Sequence, residues 1–365
     1  PQPAIARAFS FPPRSGLFTK GITMAVSQGI FKQTRLARQA AKGTLAPAGG
    51  GAIIRREQST FELAKESYTT ESEITATQQI TSSRHGMRIV NGKLTGIFSP
   101  GTYADPLSAV LRKDFTAVTS LTGLSITVAG TPGAYTLTTT GLLAGGIKVG
   151  MVIRITAGTG LNADVLNKNF LVTACTATVA TVAVLNGSTI TTGSGTACTI
   201  AIPGKISYTP VTGHTSIYHT VEEWYPDVPF SERNLDVKFT QANLSLPGTG
   251  NAKIDFTAIG LNQTNAAAAY FTAPTAETTT DSLVAASGLL LVGGVPQATI
   301  TDLNIAIDGK GAAADGVVGS DIRPDVFVGK VSVSGSFTAY FDSATVPNMF
   351  VNETATSIVS ALTAG

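Results

Sequence analysis

The chain has 365 residues, 43% hydrophobic and only 13% charged, with a formal net charge of +2. That length allows two or three domains with real cores, and the near-neutral balance excludes a strong electrostatic grip on nucleic acid or acidic lipid. So little charge protects a lone subunit poorly against association, which suits a surface covered by copies of the same chain, or else a secreted Thr-rich β-sandwich.

Residues 1–23 are basic, Pro-rich and without periodicity, and they lack the apolar core of a cleavable signal. Lys20-Gly21 can be encoded by a ribosome-binding sequence just before Met24, so the stretch reads either as upstream read-through or as a disordered arm. Residues 24–60 read as a basic extended arm. Lys32, Arg35, Arg38, Lys42, Arg55 and Arg56 make it basic, and the run at 46–51 is Pro- and Gly-rich.

Residues 68–80 read as a strand or long β-ribbon. Thr69, Glu71, Glu73, Thr75 and Thr77 fall on one face by period two, and Ile74, Ala76 and Ile80 on the other. Residues 88–98 give more strand around an Asn91-Gly92 turn signal. Helical spacing follows at 103–115, with Leu107, Val110 and Leu111 on one face, Asp105 as the cap and Pro106 in the first turn.

Between 116 and 204 the composition shifts to Thr, Ala, Gly and Val. Short strands at 149–155, 169–173, 179–185 and 197–202 predict an inserted small β-barrel or sandwich module. Its two cysteines, Cys175 and Cys198, read as buried small hydrophobes, with a disulfide as the alternative.

The body resumes at 205. Strands at 237–246 and 252–260 flank Pro247-Gly248-Thr249-Gly250, a hairpin signal. Residues 283–295 are apolar but too short to span a membrane, and read as a buried strand with flanking turns. Residues 299–308 alternate, with Asp302, Asn304, Ala306 and Asp308 on one face.

One pattern occurs twice. Gly92-Lys-Leu-Thr-Gly-Ile-Phe98 and Gly335-Ser-Phe-Thr-Ala-Tyr-Phe341 both read Gly-x-(Leu/Phe)-Thr-x-x-Phe, each after a strand-like stretch and before further spaced apolar residues. The echo suggests two related units in one chain.

Catalytic punctuation is missing. His85, His214 and His219 join no Cys or carboxylate cluster of zinc-site spacing, and no phosphate loop or nucleophile elbow stands in a suitable context. Glu222 and Glu223 are adjacent on a strand and point to opposite faces, one expected solvated and one paired, so they cannot form a hydrolase pair. Trp224 and Tyr225 read as packing or interface anchors. The expectation is a non-enzymatic protein with no cofactor and no metal.

The string Thr220-Val-Glu-Glu-Trp-Tyr-Pro-Asp-Val-Pro-Phe-Ser-Glu-Arg233, followed by Leu244-Ser-Leu-Pro-Gly-Thr-Gly-Asn-Ala252, resembles the major tail tube proteins of long-tailed, siphovirus-like bacteriophages. So do Tyr68-Thr-Thr-Glu-Ser-Glu-Ile74, Gly92-Lys-Leu-Thr-Gly96 and Tyr103-Ala-Asp-Pro-Leu107. The resemblance covers most of 24–365.

It implies a mainly β fold with two tail-tube-type β-sandwich domains, each with a flanking helix, plus the inserted module. The first domain would span 61–115, completed by 205–235, and the second would lie within 205–365. It also implies rings stacked into a virion tail tube, assembled in the host cytoplasm. Two domains per chain imply a trimeric ring with pseudo-sixfold symmetry. The partners would be other copies, the tape measure, tail terminator and distal tail proteins, and DNA passing without specific binding, with no membrane.

A channel that passes DNA must not hold phosphate, and Glu71, Glu73, Asp302 and Asp308 are the expected lining. Lys32, Arg35 and Arg38 are the expected inter-ring contacts of the arm. The alternative reading is a β-rich surface or fibre protein that binds carbohydrate or a host receptor.

Overall fold

The structure, a computed structural model, describes residues 27–362 apart from 72–73, 75, 77–78, 81, 186, 209, 285–288, 294, 298 and 342–343. The expectations for residues 1–23 and for Glu73 therefore lie outside the described residues.

The chain begins with β1 (Gln33–Arg38), β2 (Ala52–Ile53), β3 (Gln58–Thr69), β4 (Ser83–Ile97) and helix α1 (Ala104–Leu111). Next come β5 (Thr116–Ala117), β6 (Leu121–Thr131), β7 (Ala134–Thr138), β8 (Val152–Thr159), β9 (Asn169–Cys175), β10 (Val179–Val184), β11 (Gly193–Ala201) and β12 (Lys205–Ile206). The body continues through β13 (His219–Tyr225), β14 (Phe230–Pro247), β15 (Lys253–Gly260), β16 (Asn262–Ala266), β17 (Leu289–Val292), β18 (Val295–Pro296) and β19 (Ile300–Asp308). It ends with β20 (Ala312–Ala313), β21 (Val326–Phe327), β22 (Ser332–Ala339), α2 (Thr345–Val351) and β23 (Ile358–Ala361).

A ten-stranded antiparallel sheet organises the body. Its axis is β14, whose 18 residues serve two lobes. The first half of β14 pairs with β13 and β16, and β13 leads on to β1 and β2. The second half pairs with β15 and β19, giving the order β3-β4-β15-β14-β19-β22. Asp236, at a φ of 54°, marks the change of lobe. Its buried carboxylate accepts the Gly43 amide at 2.6 Å, which holds a conformation that L residues avoid.

The two lobes and α1 enclose one core. Leu36, Val221 and Val237 come from the first lobe, Phe61, Leu94 and Phe256 from the second, and Val110 from the helix. Phe256 packs between Tyr103 and Phe239, with each pair of ring centroids 5.8 Å apart. Each such large apolar side chain contributes about 1.5–3 kcal/mol by leaving water.

The helix starts after Tyr103, so Asp105 sits in the first turn and is not the cap. Pro106 in that turn costs nothing, because amides there have no partner inside the helix. The helix stops where Arg112 adopts φ 56°.

The 116–204 stretch holds a closed six-stranded barrel, ordered β10-β7-β6-β11-β8-β9. Ile126, Leu137, Ile153, Phe170, Val182 and Ile200 fill it, separately from the body core. The β5–β12 ribbon carries the chain in and out side by side, pairing Ala117 with Lys205. Lys113 and Lys148 both lie 5.5 Å from the ring centre of Tyr208 and brace this neck. Cys198 is buried, Cys175 is half-buried, and both are free thiols.

A small sheet, β18-β17-β23, covers Leu246, Ala252, Leu283 and Leu303 at the far end of the body.

Three local expectations are corrected. The ribbon expected over 68–80 ends at Thr69, whose rung with Ser83 is the last, and Glu71 sits in a turn. Asn91-Gly92 is not a turn but the middle of the continuous 15-residue β4. Gly92 is there because a Cβ would meet the Phe61 ring at 2.5 Å. Finally, the basic segment near residue 35 is not an extended arm. It supplies β1 to the first lobe, with Thr34 and Leu36 buried.

Candidate functional site

The second lobe has one face on the core and one open. Residue alternation decides which side chains reach the open face. The register aligns them in rows across six strands. One row runs Gln58, Thr95, Asp255, Asn243, Ala306, Ser334. The next runs Thr60, Lys93, Thr257, Gln241, Asp308, Ser332. A third contains Ile97, Lys253, Ser245, Asn304 and Ser336. The result is a broad surface of short hydroxyl, amide and carboxylate side chains.

Its charges are sparse, and two of them, Lys253 and Asp308, are paired. Lys253 bonds both oxygens of Glu57 at 3.0 Å. Asp308 pairs with Lys310 at 2.5 Å, and this contact, helped by Gln241, pulls its carboxyl down to about 2. Asp302 accepts a hydrogen bond from the Asn304 amide at 2.9 Å.

Asp302 and Asp308 therefore share this face, as their alternation predicted. Glu71 does not join them, because it lies in the turn beyond β3. Asp255, Asn243, Ser334 and Ser336 line a shallow groove on the same face. Sequence reading passed over them, although the Ser-x-Ser-x-Ser-x-Thr alternation at 332–338 carries the signal.

Lys32, Arg35 and Arg38 each meet carboxylates of their own chain. Arg35 faces Glu222 at 3.4 Å, and Lys32 faces Glu223 at 2.7 Å. Both glutamates are buried and both are partnered, where one was expected in solvent. Glu222 also accepts the Ser231 hydroxyl at 2.6 Å and the amides of Tyr270 and Phe271. Glu223 accepts the Ser59 hydroxyl at 2.8 Å.

Arg38 bridges Asp105 (2.5 Å) and Asp114 (2.6 Å), and buried His219 approaches Asp105 at 3.3 Å. Burial pushes the Asp105 carboxyl up, but His219 and Arg38 outweigh it and the net shift is down.

Trp224 and Tyr225 are half-buried. Arg35 lies 5.8 Å from the Trp224 ring centre and Lys32 lies 5.5 Å from that of Tyr225. Burial raises the Tyr225 phenol to about 12.

Among the described residues both edges of the second lobe are open: β3 pairs with β4 alone, and β22 with β19 alone. The β3–β4 hairpin runs past the lobe and ends in an exposed tip, where Tyr68, Ile74 and Ile80 face solvent. Its base is clamped by a loop that pairs Asp321 with Arg88 and Arg323 with Glu66.

No curated protein gives a significant match to the chain. The family model described as phage tail tube protein matches residues 32–365, which include both lobes, both helices and the barrel. The chain thus belongs to the phage tail tube proteins, non-enzymatic structural proteins that self-assemble in the virion tail.

Proposed function

We propose that the open face of the second lobe lines the tube, and that copies close into rings that stack into the conduit for DNA ejection. The observation that carries this is the face itself: six strands wide and built mainly of short polar side chains with few charges, of which Lys253 and Asp308 are paired within the chain. Such a lining gives DNA phosphate little to hold, and so lets the duplex slide. Asp302, Asp308 and Asp255 belong to that lining.

A trimeric ring fits this width. Three six-stranded contributions, with strands about 4.8 Å apart and tilted about 40°, enclose a backbone circle roughly 35 Å across. That leaves a DNA-sized lumen once short side chains are subtracted, whereas six copies would enclose a circle about twice as wide.

The pseudo-sixfold reading draws support from β4 and β22. Both carry the repeated Gly-x-(Leu/Phe)-Thr-x-x-Phe segment, both lie in this lobe, and each is followed by a helix. They are the marks of the two tube-type units.

Lys32, Arg35 and Arg38 are engaged by carboxylates of their own chain. We therefore place stacking on the clamped β3–β4 hairpin, whose apolar tip extends beyond the ring plane. The barrel points outward on its neck. A long-tailed phage supplies the remaining partners: a tape measure in the lumen, and terminator and distal tail proteins at the tube ends. Assembly takes place in the host cytoplasm.

Electron microscopy of the purified chain at high concentration tests the proposal. Hollow tubes or stacked rings with threefold averages are expected. Sixfold rings would refute the trimer, and a dispersed monomer at every concentration would refute self-assembly without an initiator.

A further inference from the structure

We infer that β22 is the edge that receives a second copy of the chain, and that the strand it receives is the second copy's β3. This rests on the ring reading above and assigns its seam.

Strand direction comes first. The second lobe is antiparallel throughout and has six strands, an even number, so its two edges run in opposite directions. Copies placed head to tail then join β22 to β3 as one more antiparallel pair, with no reversal in the ladder.

The edge itself comes second. Natural edge strands are guarded by charge, proline or a cover. Among residues 331–341 there is no charged residue and no proline. The segment also leaves Val333, Tyr340 and Phe341 exposed at 64%, 73% and 81%, and Phe350 of α2 at 86%. The repeated pattern supplies an internal control. In the first unit the counterparts of Val333, Phe341 and Phe350 are Val90, which is fully buried, and Phe98 and Leu107, which are half-buried. The second unit's strand and helix thus carry apolar surface that the described residues of the chain do not cover.

Charge comes third. Glu62 stands two residues beyond Thr60 on β3, and Lys330 stands two residues before Ser332, just outside the start of β22. Neither makes an ion pair among the described residues. Level pairing of β22 with a second copy's β3, continued two residues past Ser332, sets Lys330 beside that copy's Glu62, and opposite charges directly across a pair stabilise it.

The test uses the full chain. Opposed residues of an antiparallel pair lie about 4.5–5.5 Å apart between Cα atoms, within disulfide reach. Oxidising Glu62→Cys/Lys330→Cys rings should give a covalent closed multimer, which the unchanged chain with its two natural thiols does not give. Glu62→Lys alone, or Lys330→Glu alone, should raise the concentration needed for half-assembly roughly fivefold, and the two together should restore it.

If the unchanged chain forms tubes but the cysteines do not link and the reversals assemble normally, the seam assignment is overturned and the tube reading stands. If the unchanged chain forms no rings at any concentration, both fall.

Discussion

Gly92 and Gly335 hold the same place in the repeated segment but meet different surroundings. A methyl at Gly92 would strike Phe61 at 2.5 Å and Ala258 at 3.1 Å, whereas at Gly335 it would meet only the Asn304 carbonyl, at 3.3 Å. Gly92→Ala should therefore cost about 1–3 kcal/mol by overpacking, and Gly335→Ala should stay within about 0.5 kcal/mol of the unchanged chain. Urea midpoints decide it, and equal losses would mean that the repeat's glycines are kept for one shared reason. Glu222 is the more sensitive polar residue. Its side chain has no exposure and is held by Arg35, Ser231 and two amides. Glu222→Ala strands a buried guanidinium, so a loss of about 3–5 kcal/mol is expected by the same measurement. Acid acts through carboxylates that the fold holds in their charged form. Asp105 is shifted down, although burial opposes this, and Asp308 is held at about 2 by Lys310. Such a group prefers its charged form in the folded chain. Its contribution is present above the unfolded value of about 4 and is lost as pH falls through the folded one, near 2 for Asp308. Stability should drop across that window, and Asp105→Asn should shrink the difference between pH 7 and pH 3. An undiminished difference would place the acid sensitivity elsewhere.

At the level of elements, the barrel is the clearest separable part. Its core is its own, and β5 and β12 leave and re-enter the body as paired neighbours. Joining Ala117 to Lys205 through a two-residue turn should give a body that melts within a few degrees of the full chain and still forms rings. Loss of rings would show that the barrel takes part in closure. The strands of this module were legible because Val and Ile alternate with Thr between Gly and Asn turns, although β6 and β7 escaped notice in a Thr/Gly-rich stretch. The 299–308 and 252–260 strands were legible for the same reason. The residues 31–56 were not, because clustered Lys and Arg look solvated in a sequence. Their partners Glu222 and Glu223 are some 190 residues away in sequence, a distance that local patterning does not reach. Asn91-Gly92 misled in the opposite direction: the dipeptide is a turn signal only where no neighbouring ring needs the space that glycine leaves. For the candidate lining, alternation put Asp302 and Asp308 on one face of β19, while the rest of that face became visible only when the register joined six strands.

At the scale of the whole molecule, the open face makes its sharpest prediction through what it lacks. A conduit many rings long multiplies any small attraction for phosphate, because the duplex meets the same side chain again at each ring. Asn243 and Ser334 are exposed on one row of the face and lie outside the core. Asn243→Lys/Ser334→Lys should therefore leave folding and ring formation intact, since neither side chain is packed. Each new ammonium displaces counterions from the passing duplex, and the attraction weakens steeply with salt. Particles carrying the pair should eject DNA slowly or incompletely at low ionic strength, and added salt should restore release. Asn243→Gln/Ser334→Gln is the control for bulk, because it lengthens both side chains without adding charge. Ejection can be followed by the rise of a DNA-binding dye outside the particle, with tube length checked by electron microscopy. Slow release in the lysine pair alone, relieved by salt, places this face on the lumen. Normal release from straight, full-length tubes would put the face on the outside of the tube and leave the apolar patch around Tyr340 and Phe341 without the seam assigned to it.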